Sequence, residues 1–140
     1  MNVKELMTRD PATLDPDSTC TEAATLMKDK DCGSLPVVKD GKLVGIVTDR
    51  DIVLRAVAAR KDPAKIAVSE IMTAAPATVG PETTAADASK LMSAKQVRRL
   101  PVVDNGRLVG LLAIGQLARH ESATVAGETL KDVSQPGTKR

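Results

Sequence analysis

The sequence contains no phenylalanine, tyrosine or tryptophan. Proteins that bind single-stranded nucleic acid usually stack its bases against aromatic rings, and this chain has none to offer. Any base held by this chain must lie between aliphatic side chains and backbone. Histidine is nearly absent, with His120 alone, and there are only two cysteines, Cys20 and Cys32. These do not make a zinc ligand set, nor a nucleophile with its base and orienting acid, so neither a metal site nor a catalytic residue is expected. Long apolar runs are missing as well. Leu108–Ile114 is among the longest at about 7 residues, where a membrane helix needs roughly 20. The opening Met1–Leu6 has neither the apolar stretch nor the small-residue cleavage site of a leader peptide, which points to a cytoplasmic protein without membrane association.

What is present is ordinary for a folded domain: 140 residues, 42% hydrophobic and 27% charged. The net charge of +2 is too small to argue for nucleic acid. Cys20 and Cys32 stand at the two ends of one expected helix. Helical rise would hold them about 18 Å apart, beyond the roughly 7 Å Cα limit of a disulfide, so they are expected as reduced thiols filling core space.

Shifting the chain by 65 residues superimposes it on itself without a gap, with 21 of 45 positions identical between Val3 and Val47. Met7-Thr8 meets Met72-Thr73, Pro11-Ala12-Thr13 meets Pro76-Ala77-Thr78, and Leu35-Pro36-Val37-Val38 meets Leu100-Pro101-Val102-Val103. Leu43-Val44-Gly45 meets Leu108-Val109-Gly110. Each copy reads as strand, helix, strand, strand, helix. Ala12–Leu14 is a short extended piece between prolines. Thr19 and Glu22 form a capping box, repeated by Thr84 and Asp87, and Cys20, Ala23, Ala24 and Met27 fall on one helical face. Ser34–Val38 and Leu43–Val47 are joined across Asp40-Gly41, a pair suited to a tight hairpin turn, and Asn105-Gly106 repeats it. Asp49–Arg60 reads as a helix stopped before Pro63, and Lys61–Lys65 as the linker. The organisation expected is a repeat over 1–62, a second over 66–120, and a tail over 121–140. In that tail Ala126–Ser134 can form a short helix, with Val125, Leu130 and Val133 as its apolar anchors, before a mobile end.

With this order of elements and these motifs, both copies resemble the cystathionine β-synthase (CBS) domain, and the tandem resembles a stand-alone CBS pair, or Bateman module. The resemblance covers Val3 to about His120. It implies an α/β (α+β) fold of two pseudo-symmetric β-α-β-β-α repeats packed sheet to sheet. It also implies an adenosine nucleotide (AMP, ADP or ATP) as ligand in the cleft between repeats, with no obligatory cofactor. S-adenosylmethionine and NAD are the alternative ligands.

The family's ligand signature is Gly, two residues, Thr or Ser, two residues, Asp. Gly45-Ile46-Val47-Thr48-Asp49-Arg50-Asp51 carries it whole. Asp51 suits the ribose hydroxyls, Thr48 the ribose or α-phosphate, and Gly45 a close approach of backbone to ligand. Arg50 reaches toward a phosphate or a partner chain. The plain alternative is that Asp51 serves only the first helical turn. The second copy has Gly110-Leu111-Leu112-Ala113-Ile114-Gly115-Gln116, without hydroxyl or acid. By resemblance to the γ subunit of AMP-activated protein kinase, each cleft draws on both repeats, so Val97-Arg98-Arg99-Leu100-Pro101 complements the intact motif. Arg98 and Arg99 then serve the phosphates, and Ala77, Thr78 and Val97 the adenine; Ile46 and Pro101 complete the set. One competent site and one degenerate cleft per chain are expected.

Two other readings compete: an interaction scaffold whose clefts bind nothing, and a nucleic-acid partner resting on Arg98-Arg99 and Lys139-Arg140. No recognised nucleic-acid motif supports the latter. The resemblance also implies a homodimer through the repeat helices, consistent with Ile52, Val53, Ala56 and Val57 being apolar on more than one face. A regulated target protein is implied but not identified.

Overall fold

The computed structural model describes residues 1–120 and Val133. In chain order the elements are α1 (Val3–Leu6), β1 (Thr8–Arg9), α2 (Cys20–Lys30), β2 (Ser34–Lys39), β3 (Lys42–Thr48) and α3 (Asp49–Asp51), which runs into a π-helical stretch, Ile52–Val57. A 3-10 turn at Val68–Glu70 leads to β4 (Thr73–Ala74), α4 (Ala85–Lys95), β5 (Arg99–Asp104), β6 (Arg107–Ala113) and α5 (Ile114–Ala118).

The hairpins form where the turn chemistry requires. Asp40 and Gly41 sit at φ 52° and 80°, Asn105 and Gly106 at 52° and 81°, so both central residues of each turn are left-handed. Thr19 caps α2 by accepting the Glu22 amide at 3.1 Å, and Thr84 caps α4 by accepting that of Asp87 at 3.1 Å. Each helix ends on a left-handed residue, Asp31 or Gln96. The buried face of α2 is Cys20, Ala23 and Met27, while Ala24, expected on that face, is exposed. Burial raises the Cys20 thiol pKa and leaves it a packing group, and Cys32 is half-buried and also free. The short opening strands shrink to single bridges, Leu14 parallel to Val37 and Val79 parallel to Val102. The helix expected over 49–60 is α-helical only in its first turn. It then widens, with the Ala58 amide reaching the Val53 carbonyl at 2.8 Å and Lys61 reaching Ala56 at 3.0 Å.

The chain divides into two compact units, one of Pro11–Pro76 and one that joins Met1–Asp10 to the chain from Ala77 onward. These boundaries differ from the sequence repeats 1–62 and 66–120. In the first unit β4 pairs antiparallel with β3, Gly45 opposite Ala74 and Ile46 opposite Thr73. Its core gathers Leu14, Cys20, Ala23, Met27, Leu35, Val37 and Val47 with Ala56, Val68 and Ile71. Residues 61–65, expected as a linker, lie inside this unit: the Thr21 amide bonds to the Pro63 carbonyl at 3.0 Å and that of Cys20 to Ile66 at 3.0 Å. In the second unit β1 pairs with β6, Thr8 opposite Leu111 and Arg9 opposite Gly110. Val3 and Leu6 are buried there among Val79, Ala88, Met92, Leu100, Val102, Leu112 and Leu117. The arm is fastened by Val3 N–H to the Thr83 carbonyl (2.8 Å), Lys4 N–H to Pro81 (3.0 Å) and an exposed Lys4–Glu82 ion pair at 2.7 Å.

Each unit is thus completed by the opening segment of the other copy. The packing reason is visible in the glycines. A Cβ on Gly45 would stand 2.9 Å from the Thr73 carbonyl and collide with Met72; one on Gly110 would stand 2.9 Å from the Thr8 carbonyl and collide with Met7. The repeated Met-Thr pair and the repeated glycine are two sides of one contact.

Most of the expected tail helix lies outside the described residues. Val133 is helical, fully buried, and part of the second unit's core. Truncation after Ser122 should remove that contact, worth roughly 1.5–3 kcal/mol. The melting temperature should fall by about 5–10 °C in differential scanning calorimetry. An unchanged transition would contradict this placement.

Candidate functional site

The motif from Gly45 to Asp51 folds as one strand-to-helix junction. β3 ends on Thr48, extended at φ −117° and ψ 163°, and α3 begins with the next residue. Thr48 and Asp51 cap each other: the Asp51 amide donates to Thr48 Oγ1 at 3.2 Å, and the Thr48 amide donates to Asp51 Oδ2 at 3.0 Å. The Asp51 side chain keeps 12% of its exposure. Its other oxygen, Oδ1, stands 3.8 Å from Arg55 Nε, an ion pair beyond hydrogen-bonding distance. An ionised carboxylate offers about four lone-pair directions. One is spent on the Thr48 amide, so capacity remains for ligand hydroxyls. The Thr48 hydroxyl accepts from Asp51 and keeps its own proton to donate. The helix-start role of Asp51 is therefore present, and it does not use up the carboxylate.

Ile46 and Thr48 are buried and Arg50 is exposed. Gly45, expected as a point of close approach for ligand, also has a role inside the fold. The small residue there is required by Met72 and the Thr73 carbonyl, so a packing demand inside the protein already accounts for it.

The corresponding junction in the second copy is closed. Gln116 Oε1 accepts the Ala113 amide at 2.8 Å, and Gln116 Nε2 donates to Thr8 Oγ1 at 2.9 Å. Both ends of the neutral amide side chain are used in holding α5 and β1. No carboxylate is offered there.

The remaining candidates lie in the second unit. Ala77 is half-buried against its core and Thr78 is exposed; both lead into Val79, which bridges Val102 of β5. Val97 follows the left-handed Gln96 that ends α4, and its amide bonds to the Met92 carbonyl at 3.1 Å. The Arg98 carbonyl accepts from Ile114 at 2.9 Å, and Arg99 opens β5 opposite Ala113. Both arginines are half-buried. Among the described residues no side-chain hydrogen bond or ion pair engages the Arg99 guanidinium. Pro101 is buried in β5, and its carbonyl takes the Val79 amide at 3.1 Å, a role in the fold. In the first copy the matching residues are Gly33 and Ser34. Ser34 is 2% exposed, and its hydroxyl finds no partner among the described residues.

Sequence reasoning passed over Arg55. Its spacing of four from Asp51 on an expected helix was the available signal. No group of three or more metal-binding side chains occurs among the described residues, and no described helix is long and apolar enough to cross a membrane.

The sequence matches the CBS domain family twice, over residues 3–57 and 68–123. It is 44% identical to the CBS domain-containing protein YhcV of Bacillus subtilis over 134 residues, which are 95% of either chain. It is 38% identical to the inosine-5'-monophosphate dehydrogenase of Korarchaeum cryptofilum over 115 residues, 81% of this chain but 23% of that enzyme. The match to that enzyme is thus confined to a minor part of it. Among solved structures, CBSX2 of Arabidopsis thaliana in complex with AMP superimposes with a TM-score of 0.75 at 31% identity, covering 85% of this chain and 94% of that one. With two family matches that between them span most of its length, this chain belongs to the CBS domain family and carries two CBS domains in tandem.

Proposed function

We propose that the chain is a regulatory module that binds one adenosine nucleotide, of the AMP, ADP or ATP type. The intact Gly-x-x-Thr-x-x-Asp motif takes the ribose, and Arg99, with Arg98, takes the phosphates. The observation that carries this reading is the Thr48–Asp51 junction, which holds a carboxylate and a hydroxyl side by side with hydrogen-bonding capacity to spare. The AMP bound by the similar CBSX2 supports it, as does the half-buried Arg99, without a side-chain partner among the described residues. Ala77, Thr78 and Val97 supply the aliphatic surface that an adenine needs in a protein without aromatic rings. Arg50, exposed within the motif, is available to a phosphate. The unpaired thiols suit a reducing compartment, so the cytoplasm is the proposed location.

The experiment is calorimetry with AMP, ADP, ATP, S-adenosylmethionine, NAD and adenosine, on the parent protein and Arg99→Ala. A phosphate-holding Arg99 predicts that the substitution weakens the nucleotide by roughly tenfold and adenosine by less than about twofold. That difference should shrink as salt rises, because the contact is charged and partly exposed. Equal losses for both ligands would make Arg99 a fold residue. Absence of binding by all six would leave an interaction module with empty clefts.

The module is also proposed to act as a homodimer. On the π-helical stretch Ala56 is buried and Ile52 packs on the core, while Val53, Leu54 and Val57 are 54%, 49% and 62% exposed. An apolar ridge of this kind on a helix that already covers a core needs a second partner. Sedimentation at tens of micromolar should give twice the chain mass of 14.7 kDa, and Val57→Glu should give the chain mass. A monomeric parent protein would end this proposal.

A further inference from the structure

We propose that Arg55 is a positioning residue for the ligand-binding carboxylate of Asp51, bracing it against the chain that leaves the first unit. The inference rests on the nucleotide reading above and extends it to a residue outside the motif. Arg55 Nη1 donates to two carbonyls, Ile71 and Met72, each at 3.1 Å, while its Nε stands 3.8 Å from Asp51 Oδ1. The guanidinium is therefore anchored by one nitrogen and presents its charge through another. Five donors in a rigid plane make such division of labour natural for arginine. Asp51 is held from both sides as a result, Oδ2 by the Thr48 amide and Oδ1 by the anchored cation.

Two further observations point the same way. Met72, whose carbonyl anchors Arg55, also lays its side chain over Gly45 at the start of the motif. Met72 thus touches one end of the motif directly and the other only through Arg55, and the chain runs from there through β4 to Ala77 and Thr78. The second copy supplies the internal control. The positions 65 residues on from Asp51 and Arg55 are Gln116 and His120, so the copy that lacks the acid also lacks the arginine. A cation kept only to tie down Ile71 and Met72 would have no reason to vanish with the carboxylate.

Calorimetry with AMP and with its 2′,3′-dideoxy analogue tests the proposal, on the parent protein, Arg55→Met, Asp51→Asn and the double variant. Arg55→Met is expected to weaken AMP by about tenfold and the analogue, which has no ribose hydroxyls for Asp51, by less than about twofold. In the Asp51→Asn background it should cost AMP no more than about twofold further. If Arg55→Met does not fold, Arg55→Lys keeps a charge and loses the planar brace; it should give a smaller AMP loss that again disappears with Asp51→Asn. Equal losses for both ligands, or an undiminished loss in the Asp51→Asn background, would overturn the proposal and make Arg55 a fold residue. Loss of AMP binding on Asp51→Asn but none on Arg55→Met would overturn it while keeping the nucleotide reading. A parent protein that does not bind AMP, or an Asp51→Asn indifferent to it, would overturn that reading and this inference together.

Discussion

Asp51→Ala is expected to weaken adenosine-nucleotide binding by about 30- to 1000-fold, roughly 2–4 kcal/mol, whereas Gln116→Ala should change it by less than about twofold. The first removes charge-assisted acceptors for the ribose hydroxyls. The second removes a side chain whose oxygen and nitrogen are already engaged by Ala113 and Thr8. Both substitutions also remove a cap from the first turn of a helix, so each should lower stability by about 0.5–2 kcal/mol. Melting temperature will therefore not distinguish them, and ligand affinity will. Asp51→Asn separates the two effects, because its side-chain oxygen can still accept the Thr48 amide without a negative charge for the ribose. Calorimetry on all three variants is the measurement. Equal affinity losses for Asp51→Ala and Gln116→Ala would refute the asymmetry between the copies.

The other large effect concerns the arm. Val3 and Leu6 are 0% and 6% exposed and lie in the core with Leu100, Val102 and Leu112. Replacing both by alanine should cost roughly 4–6 kcal/mol, since a buried leucine alone costs about 2–5. That is comparable to the whole stability of a small domain. Urea unfolding should show the loss, and hydrogen exchange should show where it falls. Amides of Leu100 and Leu112 should lose protection before those of Val37 and Val47, although Val3 and Leu6 belong in sequence to the first copy. Early loss at Val37 and Val47, with β5 and β6 still protected, would mean that the arm serves its own repeat.

Much of this molecule was legible from its residues. The repeat, the two hairpins and the capped helices follow from short-range rules: Asp-Gly and Asn-Gly accept positive φ, and Thr19 and Thr84 satisfy the first free amides of α2 and α4. The difference between the two junctions was equally plain, since an acid and a hydroxyl are exchanged for Gln116 and Ala113 at matching positions. Ala24, by contrast, fits the helical period of the buried face and is nevertheless exposed. Periodicity gives the direction of a side chain from the helix axis, while burial depends on how far the neighbouring elements extend.

The tertiary structure alone decided which segments complete which core. Met7-Thr8 and Met72-Thr73 are interchangeable in sequence, and either could pair with Gly45 or Gly110 by local rules. Strand pairing is a long-range choice, settled by chain path and packing rather than by the two dipeptides. The partners of Asp51 were hidden for the same reason: Arg55 shows its i,i+4 spacing in the sequence, but its anchors are carbonyls of Ile71 and Met72, 16 and 17 residues away. A backbone carbonyl carries no residue type, so no motif announces it. The sequence by itself determined the family, the repeat and the one acidic junction; the fold decided what braces that junction, because bracing is done by main-chain atoms brought together only when distant segments pack.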